Sequence, residues 1–122
     1  MQMEAKYIPS EYRALYRYAR ISPRKARLVV DVVRNKQVDE ALAILSTMPH
    51  RAARMVEKVI ASALANAIDQ QEPDPKKLHV VKIWVDEGPR LKRLRPISRG
   101  MATIIQRRMC HIGVHLGYRE RR

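Results

Sequence analysis

Two strand-like runs, residues 78–87 and 109–116, bracket about twenty residues too basic and too polar to enter a core, and this segment most restricts how the chain can fold. Positions 88–100 alone hold five Lys/Arg and no acid. Gly88, Pro89, Pro96 and Gly100 disfavour any long helix there. The simplest arrangement is a hairpin whose arms begin in a sheet and continue beyond the body. Arms of roughly 12–15 residues at about 3.4 Å each would reach some 40–50 Å.

The same segment heads a segregation of charge. Residues 88–122 carry ten basic residues and one acid, or +9 of the chain's formal +13. Residues 1–37 have nine Lys/Arg against three acids, whereas residues 38–87 have eight acids against six basic residues. A near-neutral middle flanked by two basic surfaces seeks a polyanion, and nucleic acid is the leading candidate. An acid-free basic loop repels itself unless phosphates neutralise it. An anionic membrane surface is the rival, but its binding helices need bulky apolar residues opposite the charge. Here the densest charge lies among Pro and Gly.

At 122 residues the chain reads as one domain, 1–122, and with 46% hydrophobic residues it can bury a modest core. A single cysteine, Cys110, rules out an internal disulfide and fits a reducing compartment. The first nine residues hold no apolar run of signal-peptide length, and Glu4 argues against a transit peptide. The apolar stretch 59–68 is too short to span a bilayer. These features predict a soluble, cytoplasmic protein.

Residues 13–21 read as a strand with Leu15, Ala19 and Ile21 on one face and Tyr16 and Tyr18 on the other. Ser22 and Pro23 then start a helix as N-cap and first helical residue. Ala26, Val29, Val30 and Val33 follow at helical spacing, leaving Arg24, Lys25, Arg27 and Arg34 toward solvent or a partner. Asp39 is expected to cap a second helix that buries Leu42 and Leu45 and stops at Pro49. A third helix over residues 51–69 carries the stripe Ala53, Val56, Ile60, Ala63, Leu64 and Ala67. After a Pro-containing loop, residues 78–87 form a strand with Val81, Ile83 and Val85 against Val80, Lys82 and Trp84.

No constellation supports catalysis, a metal or a cofactor. Ser22, Pro23, Arg24 and Lys25 match Ser-x-x-Lys, but the companion elements of that acyl-transfer motif are missing. Cys110 and His111 point to opposite faces of a strand, and His115 lies about 13 Å from His111, so they cannot share zinc. Asp86 and Glu87 also project oppositely and read as a turn before Gly88 and Pro89. A helix-turn-helix is a weaker option, because the third helix is Ala-rich and lacks a face suited to base edges. Tyr12, Tyr16 and Tyr18 alternate with Arg13, Arg17 and Arg20, a pattern suited to base stacking. With no Phe in the chain, at least two of these tyrosines, and Trp84, are expected in the core.

Several stretches resemble the large-subunit ribosomal protein twenty-two family. They are Arg20-Ile-Ser-Pro-Arg-Lys-Ala-Arg-Leu-Val29, Val38-Asp-Glu-Ala-Leu-Ala-Ile-Leu45, Ser62-Ala-Leu-Ala-Asn-Ala67 and Val85-Asp-Glu-Gly-Pro-Arg-Leu-Lys-Arg93. The resemblance runs over residues 19–116. It implies an α+β fold of three helices packed on a small antiparallel three-stranded sheet, with a globular body over 19–87 and a long extended β-hairpin over 88–108. It also implies a structural constituent of the large ribosomal subunit, without enzymatic activity, that binds ribosomal RNA, contributes to assembly and lines the nascent-chain exit tunnel. Partners would be that RNA, neighbouring ribosomal proteins and the polypeptide in transit, the chain being monomeric within the ribosome and the source bacterial or organellar. Charge and resemblance together assign RNA binding to Arg20, Arg24, Lys25, Arg27 and Lys36 on the body and to Arg90, Lys92, Arg93, Arg95, Arg99, Arg107 and Arg108 on the hairpin. By similarity, Leu91, Lys92 and Arg93 lie near the hairpin tip. The chain departs from the family at Ile97, Met101 and Ile104, where basic residues are usual, and at Met109 and Cys110, where Thr-Ser is usual. The alternative reading is a free RNA- or DNA-binding regulator or chaperone, with an RNA-processing enzyme a distant third.

Overall fold

A computed structural model describes residues 12–118; the N-terminal eleven residues and the basic end at Arg119, Arg121 and Arg122 lie outside the described part. Its elements run β1 (Tyr12–Ala19), α1 (Pro23–Val33), α2 (Val38–Thr47), α3 (Arg51–Asp69), β2 (His79–Pro96) and β3 (Ala102–Gly117). The sheet order is β1-β3-β2 and both pairings are antiparallel. The fold is α+β, three helices against a three-stranded sheet, as expected.

Chain-local signals set the helices. Ser22 accepts a hydrogen bond from the Lys25 N–H at 3.4 Å and Pro23 opens α1, an arrangement whose cap contributes about 1 kcal/mol. Ala26, Val29, Val30 and Val33 are buried at helical spacing. α3 has the predicted bounds and buries Ala53, Val56, Ile60, Ala63 and Ala67, with Leu64 partly buried against the core. α2 differs at its start: Gln37 is the N-cap, its side chain donating to the Lys76 carbonyl rather than capping the helix, and Asp39 sits inside the first turn. The chain reaches Gln37 already paired, since Asn35 N–H bonds the Val80 carbonyl and Val38 N–H the Leu78 carbonyl. Those backbone bonds fix the helix start, so no side-chain cap is needed.

β3 is the central strand. Cys110, Ile112, Val114 and Leu116 face the helices and are fully buried, while His111, Gly113 and His115 alternate to the opposite face. Two bulges overturn the predicted strand phases. In β1 the pairing slips between Tyr16 and Ala19, where Tyr18 adopts φ 58°. Ahead of the slip Tyr12 is buried and Tyr16 packs against the core, while Leu15 and Tyr18 are exposed. In β2 the slip between Val80 and Lys82 puts Val80 in the core with Ile83 and Val85, leaving Val81 only partly covered. An inserted residue reverses the alternation, which a strict period of two cannot anticipate.

Trp84 is likewise not in the core. It lies on the face opposite Ile83 and Val85, its indole over Gly113 and edge-on to His115 with ring centroids 5.1 Å apart. A Cβ at residue 113 would come within 2.3 Å of that indole, so glycine is what lets Trp84 lie flat.

Candidate nucleic-acid interface

Asp86 and Glu87 form no turn. Instead β2 continues through Gly88 and Pro89 as a bulge, with the pairing shifted between Glu87 and Arg90. Pro89 lacks an N–H, and a bulge leaves a residue unpaired, so the two are compatible in one strand. Beyond it the ladder runs from Arg90↔Arg108 to Pro96↔Ala102. At about 3.4 Å per residue this arm is about 24 Å long. It is shorter than 40–50 Å because residues 79–87 of β2 stay in the body's sheet.

A tight turn over Ser98–Gly100 closes the hairpin, with Met101 N–H bonding the Ser98 carbonyl at 3.3 Å. Ile97 N–H bonds the Met101 carbonyl at 2.7 Å, and Arg99 and Gly100 take φ 62° and 72°. Glycine meets that demand freely, whereas Arg99 bears a strain of about 1–2 kcal/mol. The turn is therefore centred on Arg99, and Leu91, Lys92 and Arg93 sit part-way down the arm opposite Arg107, Gln106 and Ile105.

Paired residues of an antiparallel ladder point to the same side. One side of the arm thus presents Arg90, Lys92 and Leu94 with Arg108, Gln106 and Ile104. The other presents Leu91, Arg93 and Arg95 with Arg107, Ile105 and Thr103. Residues 92–104 are all exposed. Arg90 lies 3.9 Å from Glu87 and donates to Gln106 at 3.1 Å, and Arg93 donates to the Lys92 carbonyl at 3.1 Å. The departures from basic residues at Ile97, Met101 and Ile104 leave exposed apolar side chains, with Leu94 opposite Ile104.

On the body, Arg24 and Lys25 are exposed along α1. Arg27 behaves differently. Its Nη2 donates to the Val85 carbonyl at 3.0 Å, and Arg34 donates to the Ile83 carbonyl at 3.0 Å. β2 is an edge strand, and these two guanidinium groups occupy carbonyls its free edge would otherwise expose. Each such charge-assisted bond stabilises by about 1.5–3 kcal/mol when well formed. Lys36 is partly buried, with its carbonyl accepting from Val80 N–H at 2.9 Å.

Arg20 leaves the end of β1 beside the hairpin base, where it lines a recess with Arg51, Arg93, Arg107 and Arg108. Arg51 was not among the predicted RNA-binding residues. It opens α3, the Ala-rich helix without a face suited to base edges, and nothing local in the sequence brings it to the hairpin.

Cys110 is buried at the root of the arm; burial pushes its thiol pKa up, and the Arg27 charge pulls it the other way. His111 Nδ1 accepts from the Tyr18 N–H at 3.0 Å. Among the described residues no group of three His, Cys, Asp or Glu could hold a metal ion, and no helix is long and apolar enough to cross a membrane.

Helices on one face of a small sheet, two of whose strands run on as an acid-free cationic arm, define an α+β protein with a projecting basic hairpin. Residues 14–117 match the ribosomal protein L22p/L17e family. The chain is 50% identical over 107 residues to the large ribosomal subunit protein uL22 of Caldicellulosiruptor saccharolyticus, covering 88% of each chain. It is 51% identical over 104 residues to the protein of the same name from Desulforamulus reducens, covering 85% of this chain and 92% of that one. The chain belongs to the L22p/L17e family, a family of ribosomal proteins and not of enzymes.

Proposed function

We propose that this chain is an architectural constituent of the large ribosomal subunit that fixes separate segments of its RNA against one body and one arm. The observation that carries this reading is the arm itself: exposed over residues 92–104, with Lys92, Arg93, Arg95 and Arg99 and no acid. Such a structure gains from phosphate neutralisation and counterion release. Recognition rests on shape and backbone, since the described basic residues suit phosphate more than base edges.

Arg20, Arg24, Lys25 and Lys36 on the body, and Arg90, Lys92, Arg93, Arg95, Arg99, Arg107 and Arg108 on the arm, carry the RNA contacts. Arg27 contributes through its charge while its Nη2 holds the sheet edge. The arm projects toward the nascent-chain exit tunnel and forms part of its wall, with Leu91, Lys92 and Arg93 along it and the apolar Ile97 and Met101 at its end. Assembly of the subunit, contacts with neighbouring ribosomal proteins and the passing polypeptide, and a monomeric state follow from the family resemblance. On this reading the chain works in the cytoplasm or in an organelle, inside the subunit.

Sedimentation of a lysate containing the tagged protein tests the proposal. Cofractionation with large subunits at moderate salt is expected, and Lys92→Ala, Arg93→Ala and Arg95→Ala together should weaken it. A protein that stays at the top of the gradient would instead be a free nucleic-acid binder.

A further inference from the structure

At the root of the hairpin the chain builds a recess of about 280 Å³ from three elements distant in sequence. Arg20 comes from the end of β1, Arg51 from the start of α3, and Arg93, Arg107 and Arg108 from the two arms. Leu91 and Met109 complete its lining. Four acids elsewhere pair with other cations: Asp31 with Arg34, Glu57 with Arg54, Asp74 with Lys77 and Glu87 with Arg90. Among the described residues, no acid pairs with any of the five arginines of the recess. The first turn of α3 likewise holds no acid.

Arg20, Arg51, Arg93 and Arg107 bring like charges to one hollow, with Arg108 projecting to the arm's other side, and the apolar Leu91 and Met109 in the lining strengthen both their repulsion and any attraction to an anion. Arginine's planar fork suits phosphate oxygens in particular. The volume lies just below the range of drug-sized pockets, about 300–1,000 Å³, and suits a sugar–phosphate unit rather than a folded ligand.

We infer that this recess is a phosphodiester site, in which one stretch of RNA backbone bridges the body at Arg20 and Arg51 to the hairpin at Arg93 and Arg107. The site rests on the RNA-binding reading above and adds a further role to it. The bound phosphates hold the arm at a fixed angle to α3, so the RNA acts as a brace between the two parts.

Two double variants separate this site from general RNA binding. Arg20→Gln with Arg51→Gln alters the recess, and Lys92→Gln with Arg95→Gln alters arm cations outside it. Binding to deproteinised bacterial large-subunit RNA is followed across a KCl series, and melting is followed with inorganic tripolyphosphate at constant ionic strength. The recess variant should flatten the log–log salt slope by about 1.4–1.8, the value for two lost phosphate contacts. It should also lose the rise in Tm that tripolyphosphate gives the parent protein. The arm variant should flatten the RNA slope but keep the tripolyphosphate response. An unchanged slope in the recess variant alone overturns this site and leaves RNA binding intact, whereas unchanged slopes in both variants overturn RNA binding too. Stabilisation by polyglutamate but not by tripolyphosphate would assign the recess to an acidic peptide instead.

Discussion

β2 and β3 pass through two environments. From Val80 to Val85 and from Cys110 to Leu116 their inward residues are buried beneath three helices. From Arg90 to Pro96 and from Ala102 to Arg108 the same strands continue with both faces largely exposed. Register is held in the first region by a hydrophobic face and in the second by the ladder and the turn. Apolar burial supplies roughly 25 cal/mol per Å², which the arm scarcely collects. A two-stranded hairpin without such burial is marginal in water. The body is thus self-sufficient, and the arm depends on its root and on whatever neutralises it.

The largest expected effect tests that contrast directly. Ile60 is fully buried in α3, and Ile60→Ala should lower unfolding stability by about 2–5 kcal/mol in urea. Leu94 is 73% exposed, and Leu94→Ala should move it by less than about 0.5 kcal/mol. Comparable losses at the two positions would mean that the arm is packed against something in the free protein.

A smaller effect concerns how the body closes behind β1. Tyr12 donates from its hydroxyl to Glu72 Oε1 at 2.5 Å, joining the first described residue of β1 to the loop after α3. Glu72 is the buried charged residue of the described core, and it also accepts from the Asp74 N–H at 3.4 Å. Tyr12→Phe removes a bond to a buried carboxylate and should cost about 1–3 kcal/mol. A cost near zero would mean that water replaces the hydroxyl, and that this end of the body is more open than its burial suggests.

The contrast also explains what could be read without coordinates. Helix bounds were legible because their signals are local: Ser22 and Pro23 at the start of α1, and the 51–69 stripe of α3. The arm was legible from charge and Pro/Gly content. Strand phases were not, because bulges at Tyr18 and after Val80 depend on pairing with β3. The absence of Phe points Trp84 to the core, whereas its site depends on Gly113 across the sheet. Of the site residues, the arm cations were found by density. The recess was not, because it joins Arg20, Arg51 and Arg107 across three elements, and helical spacing turns Arg27 toward solvent or a partner without showing that it also holds the edge of β2.

The smallest effect bears most closely on whether arm and body unfold together. Gly100 has φ 72° and open space around the position of an added Cβ, so Gly100→Ala meets no clash. Its cost is confined to backbone strain in the turn, about 1 kcal/mol. If the arm opens as its own unit, that strain should speed hydrogen exchange at the Ile97 amide, which bonds Met101 across the turn, by about fivefold. Exchange at Ile60 and Val114, and the urea midpoint, should not move, because those groups report the body. A matching shift in the body would show that strain at the turn is transmitted through β2 and β3 past the Glu87 bulge. The two regions would then be one cooperative unit, and the arm's order would not depend on a bound polyanion.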